Sequence, residues 1–220
     1  MSSAERLTRA AATLGVPLSP EGAQQLLTLT SELALWNRSY NLTAITDPQE
    51  MLTRHLLDSL AIHTDLHGTR IADVGTGAGF PGLPLALVNP ARQFTLIDSS
   101  HKKIRFVQHA VQQLGLGNVS AVHARAEALR PETPFDTVVT RAFAALPQML
   151  RTVVPLCGPE TRVLAMKGRW PEAELAQLPA GWRVTASRPL LIPGLEAARC
   201  LIALARSAPG AAPAEPIPEP

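Results

Sequence analysis

The chain has 220 residues, 46% of them hydrophobic and 17% charged, enough for one sizeable core and an extension. Its formal charge is +2, from 20 Lys+Arg against 18 Asp+Glu, which excludes a protein that coats nucleic acid through bulk charge. Two cysteines, Cys157 and Cys200, exclude a disulfide framework and a Cys-based zinc site, and no apolar run reaches the ~18 residues that span a membrane.

Residues 1–68 read as a helical extension. The opening stretch MSSAERLTRAAATLG lacks a signal-peptide core, so the expectation is a cytosolic protein. Leu26, Leu29, Leu33, Trp36 and Tyr40 recur at three- and four-residue steps and form one apolar helix face. Asp47-Pro48-Gln49-Glu50 opens a further helix, with Asp as N-cap, Pro in the first helical position and Glu in the third. That helix carries Leu52, Leu56, Leu60 and His63 along one side. His55 and Asp58 are three apart and share a face, which predicts either a hydrogen-bonded interface between the extension and the sheet or a lid over a ligand.

From residue 69 the pattern alternates. Strands are expected at 70–74, 93–98, 119–123, 135–140 and 162–166, and helical stretches at 82–88, 101–114, 124–129, 145–156 and 171–178. Such alternation predicts an α/β fold, a mostly parallel sheet covered on both faces. Residues 182–190 and 198–205 come next without a long helix between them, which adds an antiparallel strand pair at the sheet edge. The expected organisation is therefore an extension over 1–68, a ligand-binding domain over 69–206 and a Pro/Ala-rich disordered tail over 207–220.

The densest signal is Ile71-Ala-Asp73-Val-Gly75-Thr-Gly77-Ala-Gly79-Phe-Pro-Gly82, placed between a strand and a helix. Its glycines let the backbone turn sharply and approach a ligand. The loop has no terminal Gly-Lys-Ser/Thr, so it is not a Walker-type phosphate loop. Gly77-x-Gly79-x-x-Gly82 matches a dinucleotide fingerprint, with Asp98 after the next strand as ribose ligand. The frame Asp73-x-Gly75-x-Gly77-x-Gly79 competes with it. An acid at Asp73 suits the cationic amino-acid end of S-adenosylmethionine (SAM) and would repel a pyrophosphate.

The strings Arg54-His-Leu-Leu-Asp58-Ser, Asp73-Val-Gly-Thr-Gly-Ala-Gly-Phe-Pro-Gly82-Leu-Pro, Leu96-Ile-Asp98-Ser-Ser-His-Lys-Lys103, Thr140-Arg141-Ala-Phe143-Ala and Met166-Lys167-Gly168 resemble the RsmG (GidB) family over about residues 20–205. The resemblance implies the class I SAM-dependent methyltransferase fold, Rossmann-like, with an N-terminal helical extension and an antiparallel edge strand. It implies methylation of N7 of a guanine, position 527 in the 530 loop of 16S rRNA, with that rRNA or the small ribosomal subunit as partner; a monomer is expected, which nothing in the sequence decides. It also places Gly75, Phe80, Ala126, Glu127 and Arg141 at the cofactor, beside Asp73, Gly77, Gly79 and Asp98. The rivals are a small-molecule methyltransferase on the same fold, an NAD(P)-binding oxidoreductase, and an RNA-binding factor that keeps SAM only structurally.

The residue chemistry agrees with N7 independently. The place after the fourth strand reads Val139-Thr-Arg141-Ala-Phe143, not the Asn/Asp-Pro-Pro-aromatic string that exocyclic amine methylation uses. Neither cysteine stands in the Pro-Cys context of a carbon-5 nucleophile. N7 is a ready lone pair and needs neither device, so no catalytic base is assigned, and Arg141 and Phe143 are positioning candidates. For RNA, the expected phosphate contacts are Lys102 and Lys103, after the second strand, and Lys167 and Arg169, after the fifth.

Overall fold

The computed structural model describes residues 2–207. The tail expected at 207–220 therefore lies, beyond Ser207, outside the described residues. Eight helices are described: α1 (Ser3–Thr13), α2 (Pro20–Tyr40), α3 (Pro48–Met51), α4 (Asp58–Leu60), α5 (Gly82–Val88), α6 (His101–Leu114), α7 (Leu146–Val153) and α8 (Glu172–Leu175). The strands are β1 (Arg70–Val74), β2 (Gln93–Asp98), β3 (Val119–His123), β4 (Phe135–Arg141), β5 (Cys157–Lys167), β6 (Trp182–Pro189) and β7 (Cys200–Arg206).

The strands form one sheet in the order β3-β2-β1-β4-β5-β7-β6. Strands β1 to β5 pair in parallel; β7 runs antiparallel to both β5 and β6. The antiparallel strand thus sits one place in from the edge, and β6 forms the edge itself. Side chains alternate between the faces, as period two dictates. Ile71, Phe94, Leu96, Val139, Leu164 and Leu201 pack with the apolar residues of α1, α2, α5 and α6. Ala72, Val74, Ile97, Val138, Val163 and Ile202 pack on the other face with α7. The helical extension therefore shares one core with a face of the sheet.

Local chemistry explains the helix ends. Ser2 and Glu5 form a reciprocal capping box on α1, and the Ser19 hydroxyl caps α2 at Gly22. Asp47 accepts from the backbone of Gln49 and Glu50, and Pro48 takes the first position of α3, as the sequence predicts. Helix α2 lies along α6. His109 meets Glu32 at 2.7 Å, Trp36 stands edge-on to Phe106, and Gln25 caps the carbonyl of Leu114.

Three expected helices differ. The stretch at 124–129 forms only a 3-10 turn, Ala126–Ala128, because it merely links β3 to the approach to β4. The stretch at 145–156 is α7 followed by the turn Val154–Leu156, where Pro155 lacks the N–H that would continue a helix. That at 171–178 shortens to α8. The helix opened by Asp47 is also not uniform: Leu52–Leu57 forms a wide π turn between α3 and α4.

Candidate cofactor and substrate site

Strand order reverses beside β1, where β2 lies on one side and β4 on the other. Open α/β sheets bind ligands outside the carboxyl ends of their strands at such a point. Here the glycine loop leaves β1 and the loop Ala142–Ala145 leaves β4. A cavity of about 370 Å³ opens between them, lined by Gly75, Ile97, Asp98, Lys103, Ala126 and Glu127, with Phe143 in its wall.

The glycines have separate tasks. Gly75 has φ +70°, and a Cβ there would run into the Phe143 ring. Gly79 has φ +87°, and a Cβ there would strike Leu83, so this residue closes the loop onto α5. Gly77 also has positive φ, but a Cβ on it would meet nothing within 4 Å; its N–H donates to Asp98 Oδ2 at 2.9 Å.

Both strand-end acids shape this loop. Asp98 accepts from Gly77 through Oδ2 and from the Ser100 N–H through Oδ1, with Lys103 Nζ at 3.7 Å. Each carboxylate oxygen has a further lone pair, so acceptor capacity remains on a side chain that lines the cavity. Asp98 does not cap α6 directly, since the N-cap position is Ser100. Asp73 is wholly buried and turned into the loop. Its Oδ2 accepts from the Thr76 hydroxyl at 2.6 Å and the Gly82 N–H at 2.8 Å, while Oδ1 has no partner among the described residues. Burial raises its pKa to about 6, against the lowering effect of those two bonds.

The remaining expected residues divide. Gly75, Asp98, Ala126, Glu127 and Phe143 come together around the cavity, joined by Lys103. Phe80 and Arg141 lie outside its lining. Phe80 stacks on His55, with ring centroids 4.7 Å apart, and the Arg141 guanidinium sits 5.8 Å from the Phe80 ring. Arg141 pairs with neither Asp136 nor Glu127. It donates to Asp58 Oδ2 at 2.8 Å and to the Arg54 carbonyl at 3.0 Å, while Arg199 approaches Asp58 Oδ1 at 3.3 Å. The shared face of His55 and Asp58 is therefore an interface between extension and sheet. His55 bonds Thr43 through Nε2; burial and then Arg141 lower its pKa to about 4, so it is neutral at pH 7.

A second cavity, about 260 Å³, lies on the β5 side of the same loop. It includes Thr140, Ala142, Phe143, Met166, Lys167 and Glu174 in its wall. Lys167 points inward here. Its Nζ donates to Glu174 Oε2 and to the Ala144 carbonyl, both at 2.8 Å, which differs from the free phosphate contact expected of it. Lys102 donates to the Tyr40 carbonyl from an exposed position, and Arg169 is exposed. Sequence reasoning missed Glu174 and the Asp58–Arg141 pair. The only signal for the first was an acid seven residues after Lys167; the pair joins positions 83 apart.

Neither cysteine is set up as a nucleophile. The Cys157 thiol donates to the Val153 carbonyl and burial pushes it up to about 12; Cys200 is buried. Among the described residues no group of acids, histidines and cysteines could hold a metal ion, and no helix is long and apolar enough to cross a membrane.

Known structures share this fold. Magnesium protoporphyrin IX methyltransferase from Synechocystis PCC 6803, solved with bound SAM, superposes with a TM-score of 0.58 at 17% identity, covering 78% of this chain and 89% of that one. TrmN from Thermus thermophilus superposes with a TM-score of 0.55 at 20% identity, covering 71% of this chain and 53% of that one. The fold is thus that of class I SAM-dependent methyltransferases. Sequence similarity is much closer to another group. The family model for rRNA small subunit methyltransferase G matches residues 22–202. Ribosomal RNA small subunit methyltransferase G of Pseudomonas paraeruginosa is 48% identical over 207 residues, covering 93% of this chain and 96% of that one. Its counterpart in Erwinia tasmaniensis is 46% identical over 194 residues, covering 88% and 95%. The match runs from α2 to β7 and takes in the glycine loop, the loop after β4 and both cavities, and the chain belongs to the rRNA small subunit methyltransferase G family.

Proposed function

We propose that this protein is a SAM-dependent methyltransferase that modifies N7 of a guanine, position 527 in the 530 loop, of 16S rRNA. The rRNA is presented free or within the small ribosomal subunit, and the enzyme works as a cytoplasmic monomer. The carrying observation is family membership over the stretch that builds the cavity between β1 and β4.

The residues present fit SAM. Asp98 offers a carboxylate acceptor for the ribose hydroxyls, and Ala126 and Glu127 line the same cavity where the adenine belongs. Asp73 supplies negative charge behind the glycine loop, where the cationic amino-acid end belongs. Gly75 brings backbone to the wall of the cavity, while Gly77 and Gly79 shape the loop behind it. When bound, SAM supplies an electrophilic methyl group on a sulfonium.

The protein's own part is positioning and the exclusion of water. Guanine N7 carries no proton, so no base is needed. Holding N7 in line with the methyl carbon converts an encounter into a unimolecular displacement.

The test is chemical mapping. After incubation with the protein and SAM, 16S rRNA treated with borohydride and aniline should show one new cleavage, at the target guanine. Methyl incorporation without new cleavage would exclude N7. Calorimetric titration should show binding of SAM and not of NAD.

A further inference from the structure

The second cavity adjoins the proposed cofactor cavity, with which it shares Ala142 and Phe143. Its charged groups are Lys167 and Glu174. Lys167 commits two donors inside the protein. Glu174 makes all its contacts through Oε2, which accepts from Lys167 at 2.8 Å and from the Leu146 N–H at 2.6 Å. Oε1 accepts from nothing among the described residues. A carboxylate pinned by one oxygen, in the wall of the cavity, thus keeps acceptor capacity on the other for a ligand there.

We propose that this cavity seats the target guanine, with Glu174 Oε1 accepting from the N1–H and N2–H₂ donors of its Watson–Crick edge. The seat rests on the assignment of N7 as the methylated atom. An unpaired guanine presents two adjacent donors on that edge, and a carboxylate is their natural acceptor. Adenine places an acceptor, its own N1, where guanine has the N1–H, so it would be repelled. Within the purine, N7 lies across the ring from N1 and N2. A base held by Glu174 thus turns N7 away from that carboxylate, towards the Ala142–Phe143 stretch that the two cavities share. Phe143 is 39% exposed, a large ring open to solvent where an extruded base needs a face to stack on.

The same placement favours the reaction. The N7 lone pair forms the bond to the methyl carbon as the carbon–sulfur bond breaks. Positive charge passes from sulfur to the purine, and no proton leaves. As that charge develops, N1–H and N2–H₂ become stronger donors. Their bonds to Glu174 therefore tighten more in the transition state than in the bound substrate, and this difference accelerates the step.

The experiment uses the full chain, SAM, and two 16S rRNAs carrying guanosine or inosine at the target position. Inosine keeps N7 and N1–H but lacks the 2-amino group. The expected results are a loss of about tenfold or more in kcat/KM for the wild type on inosine, and a similar loss for Glu174→Gln on guanosine, mainly in kcat. The Gln variant should also show a guanosine-to-inosine ratio near one. SAM affinity should match the wild type, which reports an intact fold, and Glu174→Asp, which keeps the charge, should retain part of the discrimination. A loop merely loosened by substitution would slow both RNAs and leave their ratio unchanged, so an unchanged ratio overturns the seat. Equal wild-type rates on the two RNAs also overturn it, while N7 methylation itself stands. Absence of N7 methylation by the wild type overturns both the seat and the proposed function.

Discussion

Asp73 and His55 are both buried against the glycine loop, and burial moves them in opposite directions. Asp73 titrates at about 6 instead of 3.8, so the folded protein holds its proton more tightly than the unfolded chain, and this contribution to stability declines as pH rises through that window. His55 titrates at about 4 instead of 6.5, so the unfolded chain takes the proton first, and stability declines as pH falls from 6.5 towards 4. Each shift corresponds to roughly 3 kcal/mol, and the two act in opposite directions as pH falls. Substitution should expose them singly. Between pH 7 and 4, Asp73→Asn should lose about 2 kcal/mol more than the wild type, and His55→Gln about 3 kcal/mol less, in urea unfolding. Parallel curves for all three proteins would show that neither group is perturbed by folding. Gly75 offers a steric check. Gly75→Ala drives a Cβ into the Phe143 ring at a positive φ, so SAM affinity should fall at least tenfold by calorimetry, with Gly77→Ala milder because its Cβ meets open space.

At the scale of elements, the Asp58 carboxylate joins the extension to the sheet through Arg141 on β4 and Arg199 before β7. It is 3% exposed, and removing one partner of a buried pair leaves the others uncompensated. Asp58→Ala should therefore cost about 3 kcal/mol in urea unfolding, and a change within experimental error would make the pair incidental. Such a link is not legible in the sequence. Its partners are each visible there, Asp58 for its helical face and Arg141 for its strand end, but only the fold chooses between Asp58 and the nearer acids Asp136 and Glu127. Elements with strong local signals are legible. Strands β1, β2 and β3 and helices α5 and α6 fall where alternation and turn residues put them. Strand β5 begins earlier, at Cys157, because Phe135 pairs with that residue across a bulge that the pattern does not reveal. The π turn is also hidden, since Leu52, Leu56 and Leu60 keep ordinary helical spacing through it. The candidate site divides in the same way. Asp98, Ala126 and Glu127, read from strand ends, gather round the cofactor cavity, whereas Arg141 is drawn to Asp58 and Lys167 and Glu174 acquire their roles from a contact made in space.

For the whole molecule, the small net charge conceals an uneven surface. Lys103 lines the cofactor cavity, and Lys102, Arg105 and Arg169 stand exposed near the same edge of the sheet. Phosphate contacts made there would be lost with salt. The double variant Lys102→Ala, Lys103→Ala should weaken rRNA binding and make the dependence of log K on log salt shallower by about one unit per lost contact. Lys167→Ala should leave that slope unchanged, because its ammonium already serves Glu174 and Ala144. Filter binding across a salt series separates the two, and an unaltered slope in the double variant would return Lys102 and Lys103 to an ordinary solvated helix face.

The order β5-β7-β6 also bears on how the chain is made. Strand β7 is the last in sequence, yet it lies between two strands synthesised before it. Until Cys200–Arg206 leaves the ribosome, β5 and β6 each expose an unpaired edge, and β6 has no neighbour at all. A nascent or truncated chain that stops short of Cys200 therefore leaves β5 open and β6 unpaired and should aggregate, whereas one that reaches Arg206 pairs β7 with both at once.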